Sequence, residues 1–289
     1  MLQDIFAKKH IVWVRLMYAS IIAKNSESVR MFESFESTEF KHLKWLAGTI
    51  MEEYRDFDYE NATEDTVLAK TFDFDREIPA IEHDFNELIK TITDELKILS
   101  ESYEKDFKYR ERFASDESYF IHRIEKMQNG IGFESFDSFG ATAEDIAKRY
   151  NIQNDDAAYV KETLGKLLDK EYKNVLSFFY IITHLENKKY TDPLSDLMYE
   201  SISHMKYYAI LMSSLGILRL PNIAPKADYM IGDLVEFLNK NIQEEIEEVT
   251  QMEQIVSKTK VDEFKKLLQF IQKQEEHHVL ILQYIRRNL

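Results

Sequence analysis

The chain has 289 residues, of which 44% are hydrophobic and 31% charged, with a formal net charge of -15 and no cysteine. Its length suits one large or two ordinary domains, each able to bury a core. The negative excess argues against general affinity for nucleic acid or anionic lipid, which need cationic neutralisation. The lack of cysteine excludes disulfides, thiolate nucleophiles, Fe–S clusters and Cys-x-x-Cys metal sites within this chain, so any metal must be held by O and N ligands. No apolar run reaches the roughly 18 residues of a membrane span, and Lys8, Lys9 and His10 interrupt the first segment, which predicts no membrane association and a cytoplasmic protein.

Only 7 Gly and 4 Pro occur, and abundant Glu, Lys, Leu and Ile predict an all-α fold of long amphipathic helices. In chain order, periodicity and breakers predict helices near 2–23, 27–54, 78–105 and 107–128. A break follows, marked by Gly130, Gly132 and Gly140, then a short helix opening at Thr142. Four more helices are predicted near 156–187, 192–214, 229–257 and 260–287. The expected organisation is therefore an N-terminal four-helix bundle over 1–130, a linker over 131–155, and a C-terminal four-helix bundle over 156–289.

In the C-terminal half each helix carries a metal-competent side chain on its apolar stripe. Glu171 fills a gap in the row Leu164, Leu167, Val175, Phe178. Glu200 and His204 lie between Leu197 and Tyr208, and Glu245 lies between Leu238 and Met252. Glu275 and His278 sit one turn apart between Ile271 and Leu282. An unpaired carboxylate in a dry bundle costs several kcal/mol unless it is neutralised or bound, so buried acids in this number call for a cation. Singly, each has a bland reading: a Glu can lean out at the stripe's edge, as Glu244, Glu247 and Glu248 illustrate, and His277 competes with His278. Tyr207 and Tyr208, just past His204, read as core aromatics or as groups beside a metal.

The N-terminal half reads as a worn copy. His10 to Glu39 spans the same interval as Glu171 to Glu200, and His42 falls beside the position of His204. A shift of 150 places Glu95 on Glu245, and one of 156 places His122 on His278 with Tyr119 opposite Glu275. The candidate set His10, Glu39, His42, Glu95 and His122 is poor in carboxylates. It fits a mononuclear or altered site, or a structural bundle whose inward polar groups bond one another.

One helix giving Glu, the next Glu and His, then the same again, resembles the ferritin-like domains of rubrerythrin type, over roughly 156–287 and more loosely 2–128. The resemblance implies two tandem ferritin-like bundles. It also implies two Fe ions, with Mn or a mixed pair as alternatives, held by Glu171, Glu200, His204, Glu245, Glu275 and His278. The activity implied is oxidoreductase chemistry on peroxide or dioxygen, of ferroxidase or peroxidase type, with an external electron donor; a homodimer is compatible with it. Glu200 and His204 are spaced by four where the family has three, which a one-residue π-bulge would accommodate. Two other readings stand beside this one. The first is a metal-free structural or interaction protein. The second is a helix-turn-helix over Thr142–Tyr150, Asn151-Ile152 and the helix from Asp155, whose acidic second helix disfavours DNA.

Overall fold

The computed structural model describes residues 2–23, 26–57, 71–73, 78–129, 155–185, 187–219, 221, 224–259 and 262–289. The described chain is all-α apart from two three-residue strands, Thr71–Asp73 and Ile217–Arg219. It divides into two compact units, Met1–Ala143 and Glu144–Leu289. The expected helix at Thr142 and the Asn151-Ile152 turn lie outside the described residues. No described helix is long and apolar enough to cross a membrane.

The first unit contains α1 (Leu2–Ile22), α2 (Ser26–Tyr54), α3 (Ile78–Ser102) and α4 (Arg110–Gln128). Helix α1 packs along both α2 and α3, and α4 lies on α3. An apolar residue nearly all round marks a central helix. Accordingly α1 is buried over most of its length, and Lys9, His10 and Arg15 go inside with it. The second unit contains α5 (Asp155–His184), α6 (Lys188–Ser214), the single turn α7 (Lys226–Tyr229), α8 (Leu234–Lys258) and α9 (Asp262–Arg287). Here α5 pairs with α6 and α8 with α9, while α5–α8 and α6–α9 contacts join the pairs. Helix α8 begins where the Asp233 carboxylate accepts the Glu236 N–H at 2.8 Å, satisfying one of the donors left open at a helix N-terminus.

The two units share a burial register. A displacement of 162 carries Ile22 onto His184 and Ser26 onto Lys188, the end of one helix and the start of the next in each unit. Under it the buried residues Phe32, Phe35, Glu39, His42, Leu46 and Ile50 fall on Leu194, Leu197, Ser201, His204, Tyr208 and Met212, all buried. A displacement of 156 lays α3 end to end on α8 and carries Ile89, Ile92, Leu96 and Leu99 onto Glu245, Glu248, Met252 and Ile255. One of 158 carries Phe113, Glu117, Phe120 and Ile124 onto Ile271, Glu275, His278 and Leu282. The intervals read from sequence therefore need correction. His42 falls on His204 itself, Lys9 rather than His10 falls on Glu171, and Glu117 rather than Tyr119 falls on Glu275. The intervals that match residue types differ from those that match helix ends and buried positions by one to six residues.

Candidate metal centre

Five of the six residues expected to form the C-terminal site are buried in the second unit, and the four long helices bring them together. Glu171 from α5, His204 from α6, Glu245 from α8, and Glu275 and His278 from α9 are each at most 1% exposed. His204 Nδ1 lies 2.9 Å from Glu171 Oε1 and 2.6 Å from Glu275 Oε1. His278 Nδ1 lies 2.9 Å from Glu275 Oε2 and 3.9 Å from Glu245 Oε2. The two imidazoles face each other with ring centroids 5.4 Å apart. His277, the alternative to His278, is exposed.

Glu200 stands apart. Helix α6 is α-helical from end to end, so the expected π-bulge does not form. Without it, a spacing of four leaves the Glu200 side chain 40% exposed at the rim, bonded to Nε2 of His278 at 2.7 Å. The outward nitrogen of the other histidine is treated alike, since His204 Nε2 meets Gln274 Oε1 at 3.1 Å. Both rings thus turn Nδ1 inward to the acids and Nε2 outward to a side-chain oxygen. That outer contact is how a ligand imidazole is fixed in tautomer and orientation.

Glu248, set aside in the sequence as a casual neighbour of Glu245, is buried and faces the same centre. Its Oε1 accepts from the Tyr208 hydroxyl at 2.8 Å and its Oε2 from the Lys170 ammonium at 2.5 Å. Lys170 also lies 3.5 Å from Glu245 Oε2, and Asn174 donates to Glu245 Oε1 at 3.1 Å. The signal was present in the spacing. Glu245 and Glu248 lie three apart, as Glu275 and His278 do, a spacing that allows both to face the same side of α8. Ile242 and Val249, the apolar neighbours of Glu245 along α8, are only half-buried.

Two groups of ligand atoms result, His204–Glu275–His278 and Glu171–Glu248–Glu275, each with its atoms within 4.8 Å of one another and with Glu275 common to both. Several of the converging atoms make no hydrogen bond of normal geometry, namely Glu171 Oε2, Glu245 Oε2, both oxygens of Glu275 and His278 Nδ1. Orphaned polar atoms are rare in native interiors. Here they crowd together, four buried acids against two imidazoles and one ammonium.

The electrostatics show the same deficit of positive charge. Burial, reinforced by the charge of Glu275, pushes Glu171 up to about 8. Burial also holds Glu245 well above the carboxylate range against the opposing ammonium of Lys170. Burial opposes the imidazolium of His204, yet Glu171 and Glu275 raise it well above its ordinary value. For His278 burial again opposes, and Glu200 with Glu275 lifts it to about 10. Four carboxylates therefore compete for the positive charge of two imidazoles and one ammonium: burial raises Glu171, Glu245 and Glu248, while at Glu275 burial is outweighed by the two histidines, which hold it well below the carboxylate range.

In the first unit the candidate residues do not all meet. His122 is exposed on α4, and Glu95 pairs with Arg15. His10 is buried beside Trp13, where burial lowers its imidazole to about 3. Glu39 and His42 do converge, but on a residue the sequence reading passed over. The ammonium of Lys9, fully buried, donates to Glu39 Oε2 at 2.8 Å and to Glu117 Oε1 at 2.7 Å, and contacts His42 Nδ1 at 3.2 Å. Its three protons face two carboxylates and that ring nitrogen. The Phe113 ring lies 4.7 Å beneath it, and Tyr103 donates to Glu117. Where the second unit has Glu245, Glu248 and His278, the register of the first has Ile89, Ile92 and Phe120, all buried.

No protein-family model, curated protein or solved structure matches this chain.

Proposed function

We propose that the second unit is a ferritin-like bundle that binds two iron ions, or manganese in one or both positions, through Glu171, His204, Glu245, Glu248, Glu275 and His278. The observation that carries this reading is the convergence of four buried carboxylates and two inward Nδ1 atoms, several of which make no hydrogen bond of normal geometry. The donor set fits: hard carboxylates with imidazoles suit iron and manganese, and four negative charges suit two dications. Bound there, the ions supply Lewis-acid and redox chemistry toward peroxide or dioxygen, with electrons from an external donor. Glu275, common to both groups of ligand atoms, would be available to an ion at either. Glu200 and Gln274 hold the histidines with Nδ1 inward, and the Tyr208 hydroxyl keeps Glu248 turned to the centre.

The first unit, in this reading, is the repeat's structural member. Lys9 already balances Glu39 and Glu117, so those acids need no metal. Ferroxidase or peroxidase activity therefore belongs to the second unit alone. The rival is a metal-free structural protein in which the imidazolium–carboxylate contacts are the resting state.

Elemental analysis after anaerobic Fe(II) loading and desalting separates the two. The full chain is expected to retain about two ions, and Glu245→Ala about one or none, with peroxide-dependent oxidation of the bound iron lost in parallel. A chain that retains neither Fe nor Mn returns the structural reading.

A further inference from the structure

Glu248 and Lys170 form one edge of the candidate centre. A cavity of about 390 Å³ opens beside it, and its wall includes Lys170, Glu248, Glu244, Glu247, Asp228 and Asp169. The wall carries five acids against two lysines, Lys170 and Lys173, and two of its residues, Glu248 and Lys170, also reach the buried cluster. Glu248 has an oxygen within 4.8 Å of ligand atoms of Glu171 and Glu275. Lys170 is 18% exposed, and its ammonium is tied inward to Glu248 Oε2 at 2.5 Å and to the main-chain oxygen of Glu244 at 2.7 Å. Glu245 Oε2, 3.5 Å from that ammonium, has no hydrogen-bond partner of normal geometry and is fully buried.

Resting on the metal reading above, we infer that this cavity is the uptake route for the divalent cation and that Lys170 is its latch. The ammonium sits on the two α8 carboxylates at the cavity end of the centre, which an incoming dication needs. The acidic wall concentrates dications at the mouth, as a cleft of one charge sign does for its ligand. The arriving ion then competes with the ammonium for Glu248 and Glu245. Lys170, on a flexible four-carbon stem at the cavity wall, swings out toward Glu247, since Glu244 already faces Lys173 at 3.4 Å, and keeps a carboxylate partner there. The centre is thus held neutral enough to fold before the ion arrives.

The test follows Co(II) binding to the metal-free full chain by stopped-flow absorbance. Lys170→Met is expected to take up Co(II) roughly tenfold faster than the wild type with the same final stoichiometry, because the competing charge is gone. Lys170→Arg, which keeps the charge, should remain slow. Glu247→Gln with Asp228→Asn should slow uptake and flatten its dependence on ionic strength. Circular dichroism confirms that each variant is folded. Uptake in Lys170→Met that is equal to or slower than wild type overturns the latch, and unchanged rates in the double variant overturn the route. A wild type that binds no Co(II) fails at the earlier step and overturns the metal reading itself.

Discussion

Replacing Lys9 with methionine is expected to destabilise the first unit by about 3–5 kcal/mol, the cost of breaking a buried ion pair from one side. The ammonium is fully buried between Glu39 and Glu117. Burial works against its charge, but Glu39 and then Glu117 hold it protonated above its ordinary range. The acids respond unequally. Burial opposes ionisation of Glu39, yet Lys9 lowers it to about 2, whereas burial pushes Glu117 up to about 7 despite Lys9. With the ammonium gone, two carboxylates share an apolar space walled by Phe113 and Tyr103, and both must take up protons to stay inside. Hydrogen exchange reads the result by region: amides of Met1–Ala143 lose protection while those of Glu144–Leu289 keep theirs. The triple change Lys9→Met, Glu39→Gln, Glu117→Gln should recover most of the loss, since removing every charge is far milder than stranding two. Undiminished protection in the single variant would show that Lys9 does not organise this core.

That same lysine explains what was and was not legible in the sequence. Helix positions and the all-α class follow from periodicity, because a stripe of Leu, Ile and Phe every three to four residues has one way to be buried. Glu171, His204, Glu245, Glu275 and His278 were legible for the same reason, each being polar where the stripe demands an apolar side chain. Lys9 was not. It reads as the polar interruption of an apolar segment, and only the contacts of α1 with both α2 and α3 make α1 central enough to bury an ammonium. Glu248 was hidden by abundance, since α8 offers five glutamates within Glu244–Glu253 and spacing alone does not say which pair turns inward. Glu200 was over-read: residue type and face were right, but a side chain one position from the buried Ser201 stands at the rim. The helix-turn-helix alternative rested on residues outside those described, and the part that is described, from Asp155 onward, forms the first helix of the second unit.

On the proposed metal reading, metal should stabilise the second unit most strongly at neutral to alkaline pH. Consider the metal-free protein first. Glu171 rises from 4.5 to about 8 on folding, so the folded state holds a proton that the unfolded state has released. An acid shifted upward makes stability fall as pH rises, here between about 4.5 and 8. His278 rises from 6.5 to about 10. Its contribution is fully present below 6.5 and is lost as pH climbs toward 10, the same direction. Metal-free protein should therefore lose thermal stability steadily from about pH 5 upward. A dication takes the place of those protons, and its binding releases them, so its affinity climbs over the same window. At one hundred times the dissociation constant the gain is about 2.7 kcal/mol, and it scales with the logarithm of metal concentration. Melting curves with and without Mn(II) should thus diverge as pH is raised from 5 to 8. Glu275→Ala, which removes the one carboxylate common to both groups of ligand atoms, should collapse the two curves onto each other. Curves that stay parallel across that range in the wild type would mean that metal and protons do not compete for these side chains, and the centre would have to be assigned elsewhere.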